Sequence, residues 1–196
     1  MGVNQSTNSE MDGLDFRNLA KNAKKMMPVH WGRFTFQVER TPHQINMYLR
    51  VGFTDERVMY VTQKANGNYR IFNGNGSKNP IGYIKKEHDA NYKYALYGKK
   101  NKKKYLGEIS IDHGVTEIRI PKGKDLQSVH TSTDEFVCPR ADQRDVIANR
   151  KNVRINAYGK TVWAVYKLKN NGFRLECRSP YSWMQAFAFS VIVLQH

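Results

Sequence analysis

From Trp31 to about Ser179 the chain follows a short-period pattern. β-branched and aromatic residues gather in brief runs, and turn-forming residues separate the runs. Alternation with period two is the mark of strands that bury one face. The pattern predicts strands at 33–40, 45–53, 57–62, 69–72, 81–86 and 92–97, then at 105–111, 116–120, 135–138, 153–158, 162–168 and 173–178. Asn66-Gly67, Asn73-Gly74, Asn75-Gly76 and Asn171-Gly172 read as tight turns, because both residue types accept positive φ. About a dozen short strands joined in this way predict a sandwich or a barrel. Residues 134–150 are less regular, and 143–149 read as a candidate helical turn.

Two segments depart from this rhythm. In residues 14–27, Phe16, Leu19, Ala20, Ala23 and Met27 recur at helical spacing, with Arg17, Lys21, Lys24 and Lys25 mostly off that face. This predicts a short amphipathic helix that Pro28 ends. The ten residues before it are small and polar and are expected to be disordered. The second segment, from Trp183 to Leu194, is apolar nearly all round, with Ser182 as its N-cap. A helix apolar on every side must be enclosed. Twelve residues span ~18 Å, which is too short for a membrane but about the height of a small barrel. Closing strands around such a helix removes the sheet's free edges and gives the helix apolar walls. The expected fold is therefore mainly β: a closed antiparallel barrel of about twelve strands around a buried C-terminal helix. The domain covers 29–196 and follows a flexible N-terminus with its helix at 1–28.

Composition adds one strong constraint. The chain has 32 Lys and Arg against 17 Asp and Glu, a formal net charge of +15. Such an excess predicts polyanionic partners, either nucleic acid or anionic membrane. The two cysteines, Cys138 and Cys177, form no CxxC pair and no disulfide framework, as expected in a reducing cytosol. Residues 1–27 lack the continuous apolar core of a secretory leader. The six histidines are scattered, with no HxxxH or HExxH pair, and no G-x-S-x-G, P-loop or G-x-G-x-x-G is present. The reading is a non-enzyme with no catalytic residue, metal or cofactor.

The positive charge is concentrated. Residues 83–104 hold eight lysines (85, 86, 93, 99, 100, 102, 103 and 104) against Glu87 and Asp89, a net charge of +6. Lys99, Lys100, Lys102, Lys103 and Lys104 fall on a predicted hairpin tip, where they repel one another unless an anion joins them. Tyr83 and Lys85 are two apart on a predicted strand and so share a face; Asn68 and Arg70 do the same.

The C-terminal run Phe173-Arg-Leu-Glu-Cys-Arg-Ser-Pro-Tyr-Ser-Trp-Met-Gln-Ala-Phe-Ala-Phe resembles the C-terminal signature of the tubby family, in which a strand leads through a turn into a buried Gln-Ala-Phe-Ala helix. Lys151-Asn152-Val153-Arg154-Ile155 is similar to the family's Lys-Asn-Phe-Gln-Ile strand. Ile81–Lys85 and Tyr92–Tyr97 resemble a pair of family strands. The likeness spans about 34–196, and its C-terminal quarter is the specific part. It implies a barrel that binds phosphatidylinositol 4,5-bisphosphate at the inner membrane. Carried over, the head-group site is Asn68 (in Asn-Tyr-x-Ile context), Tyr83, Lys85 and Lys103, with Lys102 or Lys104 fitting a slightly shifted register. Arg70, Lys86, Lys99, Lys100, Lys102 and Lys104 form a supporting basic patch. Tyr83 stands where the family has Lys, and Lys replaces Arg elsewhere, so the bidentate fork is lost and a looser site is implied.

The start, Met1-Gly2-Val3-Asn4-Gln5-Ser6, fits the pattern for N-myristoylation of Gly2. One acyl chain anchors weakly and needs a basic partner surface. The functional expectation is a monomeric peripheral adaptor on the cytoplasmic leaflet of the plasma membrane, binding anionic phospholipid head groups and carrying protein cargo. The alternatives are a nucleic-acid-binding or transcription-associated basic protein, favoured by Tyr92, Tyr94, Tyr97 and Tyr105 near the lysines, and a structural component of an assembly.

Overall fold

The computed structural model describes residues 33–51, 53–87, 92–98, 104–122, 126–132, 144–157 and 159–196. The expected 14–27 helix, Gly2, Cys138, the expected 135–138 strand and Lys99, Lys100, Lys102 and Lys103 lie outside the described residues.

Among the described residues, twelve antiparallel strands form one sheet. They are β1 (Phe34–Arg40), β2 (Gln44–Val51), β3 (Thr54–Gln63), β4 (Tyr69–Asn73), β5 (Gly82–Lys86), β6 (Lys93–Gly98), β7 (Tyr105–Asp112), β8 (Val115–Lys122), β9 (Leu126–Thr131), β10 (Val153–Ala157), β11 (Lys160–Lys167) and β12 (Phe173–Cys177). Their order is β10-β11-β12-β1-β2-β3-β4-β5-β6-β7-β8-β9. β1 thus lies beside β12, and the two edges meet where Ser132, just past β9, bridges Ile155 of β10. The result is a nearly closed barrel. One helix, α1 (Trp183–Gln195), runs inside it.

Alternation decides what faces inward. In β1, Phe34, Phe36 and Val38 are buried while Thr35 is exposed. The same phase puts Ile71, Ile84, Leu96, Ile109, Ile118 and Leu175 in the core with α1. From Ala186 to Leu194 every residue of the helix is buried. A fully enclosed helix must satisfy its polar groups from within. The Ser182 hydroxyl accepts from the Gln185 amide at 3.2 Å, and the Gln185 side chain accepts from Ser182 N at 2.9 Å, a complete capping box. The hydroxyl of buried Ser190 donates to Phe187 O at 2.7 Å. The wall contributes too: Trp163 Nε1 donates to Ala186 O at 3.0 Å, and Gln185 Nε2 donates to Leu106 O at 2.7 Å. At the far end Arg40 Nη1 and Lys151 Nζ both donate to Leu194 O, at 3.2 and 2.6 Å. Cations there complement the negative end of the helix dipole.

Residues 144–149 are not helical. Asp145 O accepts from Lys169 N, and Val146 bridges Leu168. Val146 packs with Ala164, Tyr166 and Leu168 in a small second core outside β11, so pairing with a strand end outcompetes a lone helical turn. Asn152 clamps this segment, donating to Ile147 O at 2.8 Å and accepting from Lys167 N at 2.7 Å.

Beside the seam, buried His130 places Nδ1 2.5 Å from the hydroxyl of Tyr181. Burial lowers the His130 pKa. The folded protein therefore holds a neutral imidazole where the unfolded chain takes up a proton below about pH 6.5. Stability is present above that range and is lost as pH falls through it. The melting temperature is expected to drop between about pH 7 and about pH 5, and to drop less in His130→Gln, leaving the residual slope to His196, whose pKa burial also lowers. Equal slopes in the two proteins would remove His130 from the transition.

Candidate functional site

Of the expected site residues that are described, Asn68, Arg70, Tyr83 and Lys85 fall on the outer wall of β4 and β5, whereas Lys86 takes the inward phase of β5. Tyr69 pairs with Ile84 and Arg70 with Tyr83, and these register steps place Asn68 beside Lys85. Ile71 and Ile84 are buried inward, so Arg70, Tyr83 and Lys85 take the outward phase. The structure thus gathers Asn68, Arg70, Tyr83 and Lys85 into one block two residues high and two strands wide. Arg70 and Lys85 are exposed; Asn68 and Tyr83 are half-buried.

Register also brings in a residue that the sequence reading did not assign to the site. Tyr97 of β6 pairs with Tyr83, and Lys85 Nζ lies 5.0 Å from the centroid of its ring. That contact holds an exposed lysine against the wall. The available signal was the outward phase of Tyr97 on a strand neighbouring β5. Burial, with the Glu87 and Glu108 carboxylates adding to it, raises the Tyr97 pKa. Tyr105, which meets Tyr97 edge-on with centroids 6.1 Å apart, is raised mainly by burial as well. Both phenols stay protonated and neutral at physiological pH.

Asn68 has a second duty. Its Oδ1 accepts from Lys86 N at 2.9 Å, tying the turn before β4 to the end of β5. Its amide NH₂ can still donate to a ligand. Lys104 is exposed at the opposite end of the wall, where its carbonyl accepts from Gly98 N at 2.9 Å.

Further along the same wall, charge is compensated. Buried Ala95 lies between Lys85 and Glu108. Glu108 in turn takes Lys93 at 3.2 Å and Arg119 at 3.8 Å, and Arg119 also reaches Glu117 at 2.7 Å. Among the described residues no carboxylate forms an ion pair with Arg70, Lys85 or Lys104. The wall therefore divides into a neutralised half around Glu108 and an uncompensated half around Lys85. Two unpaired cations, an amide donor and two phenols suit a ligand with several anionic oxygens and a ring or aliphatic face.

Among the described residues the free thiol lies away from this wall. Cys177, a free thiol, is buried on the inward face of β12, and burial with the neighbouring Glu176 pushes its pKa up to about 12. Among the described residues no three His, Cys, Asp or Glu side chains gather as a metal site would require, and no helix is long and apolar enough to cross a membrane. No protein-family model matches the chain, and no curated protein matches it.

Proposed function

We propose that this chain is a non-enzymatic, tubby-like peripheral membrane adaptor that binds phosphoinositide head groups through the outer wall of β4–β6. The observation that carries the reading is the uncompensated block of Asn68, Arg70, Tyr83 and Lys85, with Tyr97 beneath the lysine. Arg70 and Lys85 meet the phosphates, and the Asn68 amide and the Tyr83 hydroxyl donate to the inositol oxygens; the family resemblance adds Lys103 to this set. The C-terminal resemblance to the tubby family and the barrel around its helix support the same reading.

In this proposal the formal charge of +15 attracts the chain to the cytoplasmic leaflet, where each lysine near the surface contributes ~1 kcal/mol. A myristoyl group on Gly2 supplies the second anchor that a basic surface needs. The protein acts as a monomer and carries protein cargo at the inner face of the plasma membrane. Nucleic acid is the second reading, favoured by the half-buried rings of Tyr83 and Tyr97 beside exposed cations, which suit base stacking.

Pelleting with vesicles that carry phosphatidylinositol 4,5-bisphosphate, run beside an oligonucleotide shift at matched salt, separates the two. The wild type is expected to pellet with the lipid and to leave the oligonucleotide largely unshifted. Lys85→Glu places a carboxylate against Tyr97 and is expected to abolish pelleting without changing the melting temperature. Pelleting of Lys85→Glu at the wild-type level would remove this wall from the function.

A further inference from the structure

The end of the barrel at which α1 finishes carries a second concentration of charge, separate from the wall. Each hairpin reverses the chain, so β1 and β5 run in the same direction and end at the same rim. Arg40 is the last residue of β1 and shares the inward phase of Phe34, Phe36 and Val38. Lys86 is the last residue of β5 and shares the inward phase of Gly82 and Ile84. Lys151 lies two residues before β10, in phase with Val153 and Ile155. Along the height of the barrel these phases carry apolar side chains; at this rim all three carry cations.

They converge. Arg40 Nη1 and Lys151 Nζ both donate to Leu194 O. Burial, then Lys86 and Lys151, lower the His196 pKa, and the ring of His196 is held by the Tyr94 hydroxyl at 3.2 Å from Nε2 and by Tyr92 edge-on at 4.5 Å. Lys167, also nearby, is occupied with Asn171 O at 2.7 Å and the Phe173 ring.

Capping the helix does not account for this many charges. The end of a helix dipole carries only about half a negative charge. Arg40, Lys86 and Lys151 bring three positive ones, and no carboxylate, side-chain or main-chain, forms an ion pair with them among the described residues. Glu39 is turned outward, where it accepts from Gln37 at 3.0 Å. Glu87, next to Lys86, sits near enough to the outer wall to act on Tyr97. Crowding is already felt: burial, then Arg40, Arg150 and Lys167, lower the Lys151 pKa.

The geometry points to a second anion site at this rim, in which Arg40, Lys86 and Lys151 bind a phosphate-bearing anion beside the His196 ring. Guanidinium and ammonium groups on one rim suit a ligand with two or more phosphates. The shared chemistry belongs either to a free polyphosphate or to a phosphorylated head group, and the site does not depend on the function proposed for the outer wall.

The test is calorimetric titration of the full chain with inorganic triphosphate, with the His196 ring signals followed by NMR. Saturable binding and a shift of those signals are expected. Lys86→Gln, which removes no side-chain contact of the helix cap, should weaken binding by about tenfold, whereas Lys85→Glu should leave it within about twofold. Displacement of triphosphate by phosphoinositide vesicles would identify the site's ligand as a membrane head group; retention would identify it as a free anion. Absence of saturable binding, or equal binding by wild type and Lys86→Gln, would overturn the site even if Lys85→Glu still abolishes lipid pelleting.

Discussion

Phe187→Ala is expected to lower the free energy of unfolding by about 3–5 kcal/mol, at the upper end of that range. Phe187 lies on the buried helix with no exposed surface. The cost of deleting a ring is the lost transfer energy plus the cavity left behind, and the cavity term depends on how far the surroundings can collapse. In a helix packed against one face of a protein, neighbours can slide inward. Here α1 is ringed by strands that hydrogen-bond to each other from β10 round to β9, so the wall cannot shrink without breaking ladders. A native domain has only about 5–15 kcal/mol in hand, so one ring removes a large fraction of it. Urea unfolding will show the shift as a lower midpoint at nearly constant slope. Phe53→Ala serves as the control, because that ring is fully exposed and its loss should leave the midpoint unchanged. A wild-type midpoint for Phe187→Ala would mean that α1 is not the centre of the core.

Gly74→Ala is the second substitution with a large expected effect, about 3 kcal/mol or more. A Cβ at this position would lie 1.6 Å from Arg57 O and 2.4 Å from its carbonyl carbon. Those atoms are backbone of β3, and Gly74 N donates to Val58 O at 2.8 Å while Arg57 Nε donates to Gly74 O at 3.2 Å. A flexible side chain could swing away; a paired strand cannot. Relief requires separating the end of β4 from β3. Gly76→Ala makes the comparison informative, since Gly76 has φ +79 but nothing within 4 Å of an added Cβ. It should cost only the left-handed penalty of about 1–2 kcal/mol. If the two variants melt alike, close approach at Gly74 is not what sets its identity.

These glycines show where reading by residue type succeeds and where it stops. Gly67 and Gly76 do adopt positive φ, as Asn-Gly turns predict. At Asn171-Gly172 it is Asn171 that takes φ 65. Gly74 is required for a different reason, the passage of another strand, and that neighbour is absent from any local window. The strands divide in the same way. Eleven of the twelve observed strands coincide with a predicted run to within a few residues. β9 (Leu126–Thr131) was missed because Leu-Gln-Ser-Val-His-Thr has only one β-branched apolar residue, and its strand character comes from pairing with β8 through Ser128–Ile120 and His130–Ile118.

The candidate wall was legible in part. Period two alone put Tyr83 with Lys85 and Asn68 with Arg70; joining the two pairs needed the β4–β5 register. Placing Tyr97 under Lys85 needed the next register as well. The cationic rim was not legible at all, because Arg40 and Lys151, from distant parts of the chain, meet only on Leu194 O at the end of α1, and only the strand directions bring Lys86 to the same rim.

By itself the sequence determined the local choices: which stretches extend, which residues turn, that Ser182 begins a helix, and that a helix apolar on every side must be enclosed. These follow from short-range sterics and from the cost of leaving apolar surface in water, both of which act on neighbours in the chain. Only the tertiary structure decided which strands adjoin, which cations stand without a counter-charge, and where one backbone passes too close for a Cβ. Those are matters of distance between residues far apart in sequence, and electrostatic and steric energies depend on that distance.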